Sequence, residues 1–421
     1  MKSTIPTIEA MSKIKVVALY FWGRSGTLLM HSLLDSHPEV LNLPSLMLMS
    51  FHHEQWEEIN KYNSLEQRLD AFIRLNIASF DGKQDINNCG FENLGPNKNT
   101  CLSVDQALFK KYMHEILQGI SDQNSPRKYF FIAAHFAYAL ARGEDISTKK
   151  VLLYHLHSSN DLTRIGNVFA DFPDMLSLGM LRHPLRGFNS HIRAARTMAS
   201  KNSSDARLRE AYMSVLNTDY RTHYKHQLVG WTTVQRKYPH APFLEVQLEQ
   251  LHENPRREME RVASFLNIAW NDSLLESTFN GLAFWADTSA RNAINGFSVQ
   301  HTKYEDWQDN FDTIDTLVLN GLLKKFVEKH GYGKVSRKTR LLLPLLILKP
   351  SKLELEALRK GGLLRLPFII NNILARYIFS YLYLVGYPID CSEGYLAELE
   401  RKFWKGARIF VRSLTSPEFK S

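Results

Sequence analysis

The sequence predicts an α/β fold in which helices flank a parallel central sheet. Three apolar runs, at residues 14–20, 151–157 and 175–181, are continuous rather than alternating, and a shorter run occupies residues 242–246. Strands that are buried on both faces have this pattern. Segments with the apolar spacing of helices lie between the runs. Strands that alternate with helices indicate parallel pairing through helical crossovers.

The first predicted unit is a strand, a loop and a helix. Residues 14–20 (IKVVALY) are rich in β-branched residues, and the segment GRSGT follows at Gly23–Thr27. Pro38 lies just past the end of the helix that comes next. That helix is indicated by apolar residues at helical spacing, namely Leu29, Leu33 and Leu34. The unit therefore places a glycine-containing loop at the end of a buried strand.

The same alternation continues along the chain. Residues 128–141 have the pattern of a helix, and Pro184 suits the first turn of a helix after the strand at 175–181. A further helix is predicted near residues 255–266. Its apolar residues share one face: Met259, Val262, Phe265 and Leu266. These elements complete the predicted layers around the sheet.

The composition is that of a globular chain. Of 421 residues, 44% are hydrophobic and 11% aromatic, which is enough to bury a core. The three cysteines, Cys89, Cys101 and Cys391, are widely spaced, which favours neither a disulfide framework nor a metal site and indicates a reducing compartment. The first residues lack the apolar stretch of a secretory signal. We therefore expect the protein in the cytoplasm.

Charge is unevenly distributed. Residues 334–421 hold 16 Lys and Arg against 7 Asp and Glu, a net charge of +9 that equals the net charge of the whole chain. Residues 1–333 are therefore neutral overall. Because the basic surplus lies outside the predicted sheet, nucleic acid is not an expected partner.

The change of character after Gly333 predicts two parts: a domain over residues 1–333 and a basic, apolar, mostly helical extension over residues 334–421. The apolar run at 341–348 is short and contains a proline. A spanning helix needs about 20 nearly uninterrupted apolar residues. A basic and apolar tail is typical of an interfacial anchor or an oligomer contact. We expect residues 340–421 to make a peripheral membrane contact or a homodimer contact.

The loop Gly23–Thr27 has the properties of an anion site. The first amides of a helix have no intrahelical partner and the helix dipole favours negative charge there, while glycine lets the backbone approach a ligand. The loop adds two hydroxyls and the Arg24 guanidinium. It has no lysine and does not satisfy the Walker A pattern. The alternative is a tight turn capped by Ser25 or Thr27.

A second anion motif follows the third long strand. In LRHPLRGFNS, Arg182 ends the strand and Ser190 lies eight residues further on, within the predicted helix. An arginine and a hydroxyl can hold a phosphate by charge and hydrogen bonding. The alternative is that Arg182 is an ordinary surface arginine.

Together these motifs resemble those of the PAPS-dependent sulfotransferases. The segment YFWGRSGTLLMHSLLDSHPEV is similar to their 5′-phosphosulfate loop in its GRSGT form, and MLRHPLRGFNS is similar to their 3′-phosphate motif. VQLEQLHENPRREMERVASFLNI, at 246–268, resembles the stretch before their last helices. The resemblance covers about residues 14–333, and it implies a P-loop NTPase-like sulfotransferase fold.

The resemblance implies that PAPS (3′-phosphoadenosine 5′-phosphosulfate) is the co-substrate, that PAP (3′-phosphoadenosine 5′-phosphate) is the product, and that no metal is required. One departure is Leu28, which stands where the family usually has a second threonine or a similar polar residue. The implied donor-binding residues are Gly23, Arg24, Ser25, Gly26, Thr27, Leu28, Arg182 and Ser190. The family's late basic glycine-containing loop has no clean match in this sequence, and Arg291, in SARNAINGF, is the substitute expected to bind the donor.

Arg24 and a general base are the expected catalytic groups. His155 and His157 lie on one face of the strand VLLYHLH, and His157 matches the histidine that serves as base in the soluble branch of the family. The rival is Glu54 or its neighbours His52 and His53, after the first helix, where the glycan branch often has a glutamate. Either His155 or His157 could instead be structural.

The acceptor is expected to bind among residues 45–150 and 195–235, although the aromatic residues there are more often core than ligand cage. The leading function is sulfuryl transfer to a hydroxyl or amine of a small cytoplasmic metabolite, as in natural product tailoring. One alternative is a glycan or lipid-linked acceptor at the membrane surface. From other classes, the alternatives are a P-loop-like nucleotide kinase and a non-catalytic membrane-docking protein.

Overall fold

The computed structural model describes most of the chain, as two compact units. The first unit comprises Met1–Arg182 and Val234–Tyr304, and the second comprises His183–Thr233 and Glu305–Ser421. The described residues are 5–20, 24–85, 89–118, 120, 126–156, 162–201, 237–286, 295–299, 306–366, 369, 370, 373 and 376.

A five-stranded parallel sheet forms the centre of the first unit. Its strands in chain order are β1 (Lys15–Tyr20), β2 (Val40–Asn42), β3 (Val151–Leu156), β4 (Leu176–Leu181) and β5 (Phe243–Gln247). They lie in the order β2-β3-β1-β4-β5. The predicted α/β class and parallel sheet are confirmed. Strand β2 was not predicted, because three residues are too few to show a pattern.

The register brings one end of several strands together. Tyr20 at the end of β1 pairs with Leu156 at the end of β3, and on its other side with Gly179 of β4. The loops that leave β1, β3 and β4 therefore emerge along the same carboxyl edge of the sheet, where open α/β sheets bind their ligands.

Helices surround this sheet, and three of those in the first unit lie where the sequence predicts a helix. The bounds in the first unit are α1 (Ile8–Met11), α2 (Thr27–Asp35), α3 (Trp56–Ile59), α4 (Leu65–Leu75), α5 (Gln106–Ile116), α6 (Arg127–Ala141) and α7 (Leu162–Asp171). Helix α8 (Pro184–Lys201) follows β4 and belongs to the second unit, and after β5 come α9 (Leu248–Glu253) and α10 (Pro255–Leu266). The three helices at predicted positions are α2, α6 and α10. The buried face of α10 carries Met259, Val262 and Leu266, and these pack in one core with Val17 and Leu178 of the sheet.

A short hairpin closes this part of the fold. Strands β6 (Thr278–Phe279) and β7 (Leu282–Ala283) pair antiparallel. Phe279 lies in a small apolar cluster with Phe91 and Phe284, and Leu28 of α2 packs against that cluster. The hairpin and helix α2 thus share buried surface.

The second unit is helical where it is described. Its helices are α8 (Pro184–Lys201), α11 (Thr313–Leu322), α12 (Lys324–Lys329), α13 (Arg337–Leu346) and α14 (Lys352–Gly361). Helix α8 begins at Pro184, as predicted. The unit combines chain from both sides of Gly333, so the predicted boundary between residues 1–333 and 334–421 stays a prediction. In the part of the chain that the structure describes, no helix combines the length and apolar content that crossing a bilayer requires.

Candidate active site at the carboxyl edge of the sheet

The loop between β1 and α2 has a left-handed backbone. Arg24 has φ +63° and Gly26 has φ +88°, and Gly26 is the N-cap of α2 without a side-chain cap hydrogen bond. Ser25 and Thr27 are buried, whereas Arg24 is half-buried. The turn therefore presents backbone and the Arg24 side chain, rather than two exposed hydroxyls. Gly23 lies outside the described residues.

Gly26 is required by its surroundings as well as by its backbone angles. A Cβ atom at this position would lie 2.5 Å from Cδ1 of Leu248, the first residue of α9. The loop therefore packs against the chain that follows β5. Because φ is also positive, only glycine fits here without strain.

Arg182 reaches this loop from the neighbouring strand. It directly follows β4, and its Nη1 donates a hydrogen bond of 2.9 Å to the carbonyl oxygen of Arg24. The two sequence motifs that suggested anion binding are thus joined. A guanidinium holds the loop backbone in place and adds positive charge beside it.

The sequence also predicts Leu28, Ser190 and Arg291 as donor-binding residues. Leu28 faces the apolar cluster around Phe91 and Phe279, which explains why a polar residue is absent at this position. Ser190 is half-buried on helix α8 of the second unit. Arg291, like His157 among the candidate bases, lies outside the described residues. The roles of Ser190, Arg291 and His157 stay predictions.

His155 lies inside the first unit. It is fully buried on β3, and its ring centroid is 4.6 Å from that of His31 on α2. Nε2 of His31 donates to Oδ1 of Asn42 on β2, and burial lowers the pKa of His31 to about 4. His155 therefore belongs to a buried polar cluster rather than to an exposed surface.

This buried cluster continues towards the hairpin. Asn42 donates from Nδ2 to Oδ1 of Asp35 at 2.9 Å. Oδ2 of Asp35 accepts from the backbone amide of Gly281 at 3.1 Å and from the Thr278 hydroxyl at 3.3 Å. Desolvation raises the pKa of Asp35 above its usual range. The cluster links the end of α2, strand β2 and the hairpin, which is a structural arrangement.

Glu54 is placed at the edge instead. It lies in a π-helical turn, Phe51–Gln55, and its two carboxylate oxygens each accept from Nη2 of Arg164 at 2.9 Å. The Glu54 side chain is 55% exposed and that of Arg164 only 9%. Arg164 stands in the first turn of α7, which follows β3. A buried guanidinium thus orients an accessible carboxylate near the carboxyl edge of the sheet.

Arg164 is the residue that sequence reasoning missed. Its signal was weak: an arginine at the start of a helix, shortly after a predicted strand. Its neighbour in space, His52, is buried with Nε2 3.6 Å from Oδ2 of Asp171, and burial lowers its pKa well below the usual range. His53 is more exposed, with Nδ1 3.7 Å from Oε1 of Glu54.

The aromatic residues expected near the acceptor are mostly core. Phe51, Phe80 and Phe109 are buried, and Phe51 and Phe131 have ring centroids 4.9 Å apart. His135 is also buried and donates from Nδ1 to the Phe131 carbonyl at 2.8 Å. The expectation of an acceptor site among residues 45–150 and 195–235 stays a prediction, and residues 202–235 lie outside the described chain.

A parallel α/β unit in which an arginine after the adjacent strand holds a glycine loop at a helix N-terminus is an arrangement that suits anion binding. The family comparison is more specific. The sequence model of the sulfotransferase family matches residues 20–272, which is more than half of the chain. The chain belongs to the sulfotransferase family. A search among curated proteins gave no match.

Several solved structures are distantly similar. The sulfotransferase domain of the Synechococcus PCC 7002 olefin synthase has 15% identity and a TM-score of 0.39, covering 83% of this chain and 98% of that one. The sulfotransferase domain from the curacin biosynthetic pathway has 13% identity and a TM-score of 0.36, with coverages of 69% and 90%. Sulfotransferase STF1 from Mycobacterium tuberculosis H37Rv has 15% identity and a TM-score of 0.30, with coverages of 62% and 70%.

Proposed function

We propose that this protein transfers a sulfuryl group from PAPS to a hydroxyl or amine of a small acceptor. The observation that supports the donor site is the hydrogen bond from Arg182 to the Arg24 carbonyl of the β1–α2 loop. It brings two cationic side chains to the beginning of a helix at the carboxyl edge of the sheet. That environment suits the phosphosulfate end of PAPS.

Charge stabilisation is the main task of such a site. In sulfuryl transfer the acceptor oxygen or nitrogen bonds to sulfur while the bond from sulfur to the phosphate oxygen breaks, and PAP leaves with the bonding electrons. By analogy with phosphoryl transfer, positioning and electrostatics dominate. Arg24 and the loop amides are proposed to offset the charge that develops on the leaving phosphate. Arg182 keeps the loop in the conformation that this requires.

Glu54 is the general base that the geometry favours. A base must come within hydrogen-bond reach of the acceptor, and the Glu54 side chain is 55% exposed. The Arg164 guanidinium orients its carboxylate. His155 is fully buried beside His31 and would need a rearrangement of the interior to reach an acceptor. His157 remains the alternative base by resemblance.

The acceptor class and the compartment are part of the same proposal. The three cysteines, Cys89, Cys101 and Cys391, are widely spaced and odd in number, which suits a reducing compartment. A small cytoplasmic metabolite or natural product is therefore the proposed acceptor, with a glycan or lipid-linked acceptor as the alternative. No group of three or more potential metal ligands occurs among the described residues.

Calorimetric binding of PAP, with adenosine 5′-phosphate for comparison, tests the donor site. The wild-type protein should bind PAP more tightly than adenosine 5′-phosphate. Arg182→Ala should weaken PAP binding about 10- to 100-fold, because it removes a charge-assisted contact and loosens the loop.

Arg257→Ala is the matched control, since Arg257 is an exposed arginine on α10 that lines a groove with Leu244, near the beginning of β5. It should bind PAP like the wild type. Equal affinity for the two nucleotides, or an Arg182→Ala variant that binds like the control, would contradict the proposal. Magnesium-dependent ATP binding in place of PAP binding would instead favour a kinase.

A further inference from the structure

Helix α13 of the second unit is apolar on two opposite sides. On one side Leu343, Leu346 and Ile347 pack into the core of that unit, together with Val318 and Leu322 of α11. Soluble helices usually have one apolar stripe and a polar opposite face. The opposite side of α13 departs from that rule.

The outer side carries three exposed leucines. Leu341, Leu345 and Leu348 are 72%, 67% and 54% exposed. The first two are four residues apart and the third follows after three, so they form one stripe along the helix and its C-terminal end. The following chain exposes three more large apolar residues: Leu363, Leu366 and Ile370. Scattered exposed leucines are ordinary, whereas a stripe indicates a binding surface.

The orientation of α13 is held by close packing. A Cβ atom added at Gly321 of α11 would lie 2.9 Å from Cδ1 of Leu343. The two helices therefore approach closely at this point. Rotation of α13 to place an outer leucine in the core would break this close contact with Leu343. The outer stripe is consequently a stable feature of the unit.

The charged residues next to this stripe in sequence are mostly basic. Lys334, Arg337, Lys338 and Arg340 are exposed next to it in sequence. Between Lys334 and Leu366 the acidic residues are Glu354 and Glu356. Each is engaged by an arginine, Glu354 by buried Arg376 at 2.6 Å and Glu356 by Arg196 at 3.1 Å. The exposed charge of this segment is therefore cationic.

From these observations we infer that α13 docks on an anionic lipid surface. The stripe of Leu341, Leu345 and Leu348 would enter the boundary between headgroups and acyl chains, while the flanking Arg and Lys side chains contact acidic headgroups. This combination is how interfacial helices bind. Charge decides between the possible occupants, because a second copy of the same cationic surface would repel the first. The inference concerns binding alone and goes beyond the proposed sulfuryl transfer.

Vesicle flotation of the full chain tests this inference. The vesicles are pure phosphatidylcholine and phosphatidylcholine with one third phosphatidylserine. The wild type should float with the anionic vesicles. A Leu341→Ser, Leu345→Ser, Leu348→Ser triple variant should lose at least about tenfold in partitioning, because each leucine contributes apolar area.

A second variant tests the charges independently. Arg337→Glu, Lys338→Glu, Arg340→Glu should also lower partitioning into the anionic vesicles at least about tenfold. The matched control is Leu108→Ser, Leu317→Ser, which removes exposed leucines elsewhere. It should change partitioning by less than about twofold, because surface leucines outside the stripe do not meet the bilayer. Thermal unfolding of each variant checks that it remains folded.

Three outcomes would overturn the inference. The first is a wild type that floats with neither vesicle type, or equally with both. The second is a leucine variant that floats like the wild type. The third is a dimer in sedimentation velocity that the leucine substitutions convert to a monomer, with no flotation of either protein. That last result would assign the stripe to a second copy of the chain.

Discussion

The interior of the first unit and the carboxyl edge of its sheet each hold a candidate general base, and the two environments differ in access to solvent. His155 is fully buried on β3 against His31. Glu54 is 55% exposed and is oriented by Arg164. A proton acceptor has to reach its substrate. The comparison teaches that burial, rather than residue type, separates a structural group from a catalytic candidate.

The two environments also differ in whether they stabilise charged side chains. Burial lowers the pKa of both His31 and His135 to about 4, so these imidazoles are neutral at neutral pH. At the edge, the Arg164 guanidinium provides the counter-charge for the Glu54 carboxylate. The surroundings of these histidines therefore disfavour positive charge, whereas the edge supports a charged pair. Each of the following predictions tests one side of this contrast.

The largest expected effect is acid destabilisation through the interior. The pKa values of His31 and His135 are about 4 when folded, whereas an unfolded histidine has a pKa of about 6.5. Between these values the unfolded state binds more protons, so stability is full above pH 6.5 and falls as the pH drops towards 4. Each histidine should lower the free energy of unfolding by about 3 kcal/mol when the pH reaches the lower end of this range. Urea unfolding at several pH values measures the loss.

A pair of variants isolates this contribution. His135→Phe should reduce the acid loss by about 3 kcal/mol, because one buried titrating ring is replaced by an apolar ring. His240→Gln, at an exposed position, should leave the profile unchanged. Asp35, whose pKa is raised by desolvation, acts in the opposite direction and offsets part of the loss. A stability that stays constant from pH 7 to pH 4.5 would show that the surroundings of these histidines do not disfavour positive charge.

The next largest effect concerns Glu54 at the edge. Glu54→Gln keeps the size of the side chain and removes its basicity, so kcat should fall about 10²- to 10⁴-fold while PAP affinity and thermal stability stay near the wild type. The assay is PAP release from PAPS with an alcohol or phenol that a screen shows to be accepted. Glu57→Gln is the control, because Glu57 is an exposed carboxylate one turn further on.

His155→Ala completes that experiment. It should destabilise the fold by about 2 to 4 kcal/mol, because it leaves a cavity in a packed interior. The kcat of the remaining folded protein should stay near the wild type. The reverse result, a large loss of kcat in His155→Ala and none in Glu54→Gln, would show that the general base is in the interior. It would contradict the assignment of the exposed Glu54 as the base.

The smallest expected difference is between two glycine variants, one of which is in the donor loop. Gly26→Ala should destabilise the protein by about 2 to 4 kcal/mol, since it combines a left-handed backbone with a methyl group pressed against Leu248. Gly143→Ala is the matched control, with a similar φ of +76° and nothing within 4 Å. It should cost about 1 kcal/mol, from backbone strain alone. Equal losses in the two variants would show that contact with Leu248 does not constrain the loop.

Much of the fold could be predicted because its strands and helices have apolar patterns and proline positions that are visible in short stretches of sequence. The apolar run at 14–20 became β1 at Lys15–Tyr20, and the helix predicted near 255–266 became α10 at Pro255–Leu266. Pro184 begins a helix, as its position after a strand indicated. Buried strands and amphipathic helices have characteristic patterns of apolar residues along the chain. These patterns can be recognised from the sequence alone. Strand β2 was not predicted because three residues are too few to show a repeating apolar pattern.

The site could be predicted only in part. The sequence by itself determined the glycine loop, the arginine at the end of β4 and the family to which these motifs belong. Only the tertiary structure decided that Arg182 bonds to the Arg24 carbonyl, that Arg164 orients Glu54, and that His155 is buried. These are contacts between residues far apart in the chain, and their energy depends on distance and solvent access, which no local pattern records. The same reason explains why Leu341 and Leu345 of α13 and Leu348 just after it face outward: only the packing of the opposite side of that helix determines their exposure.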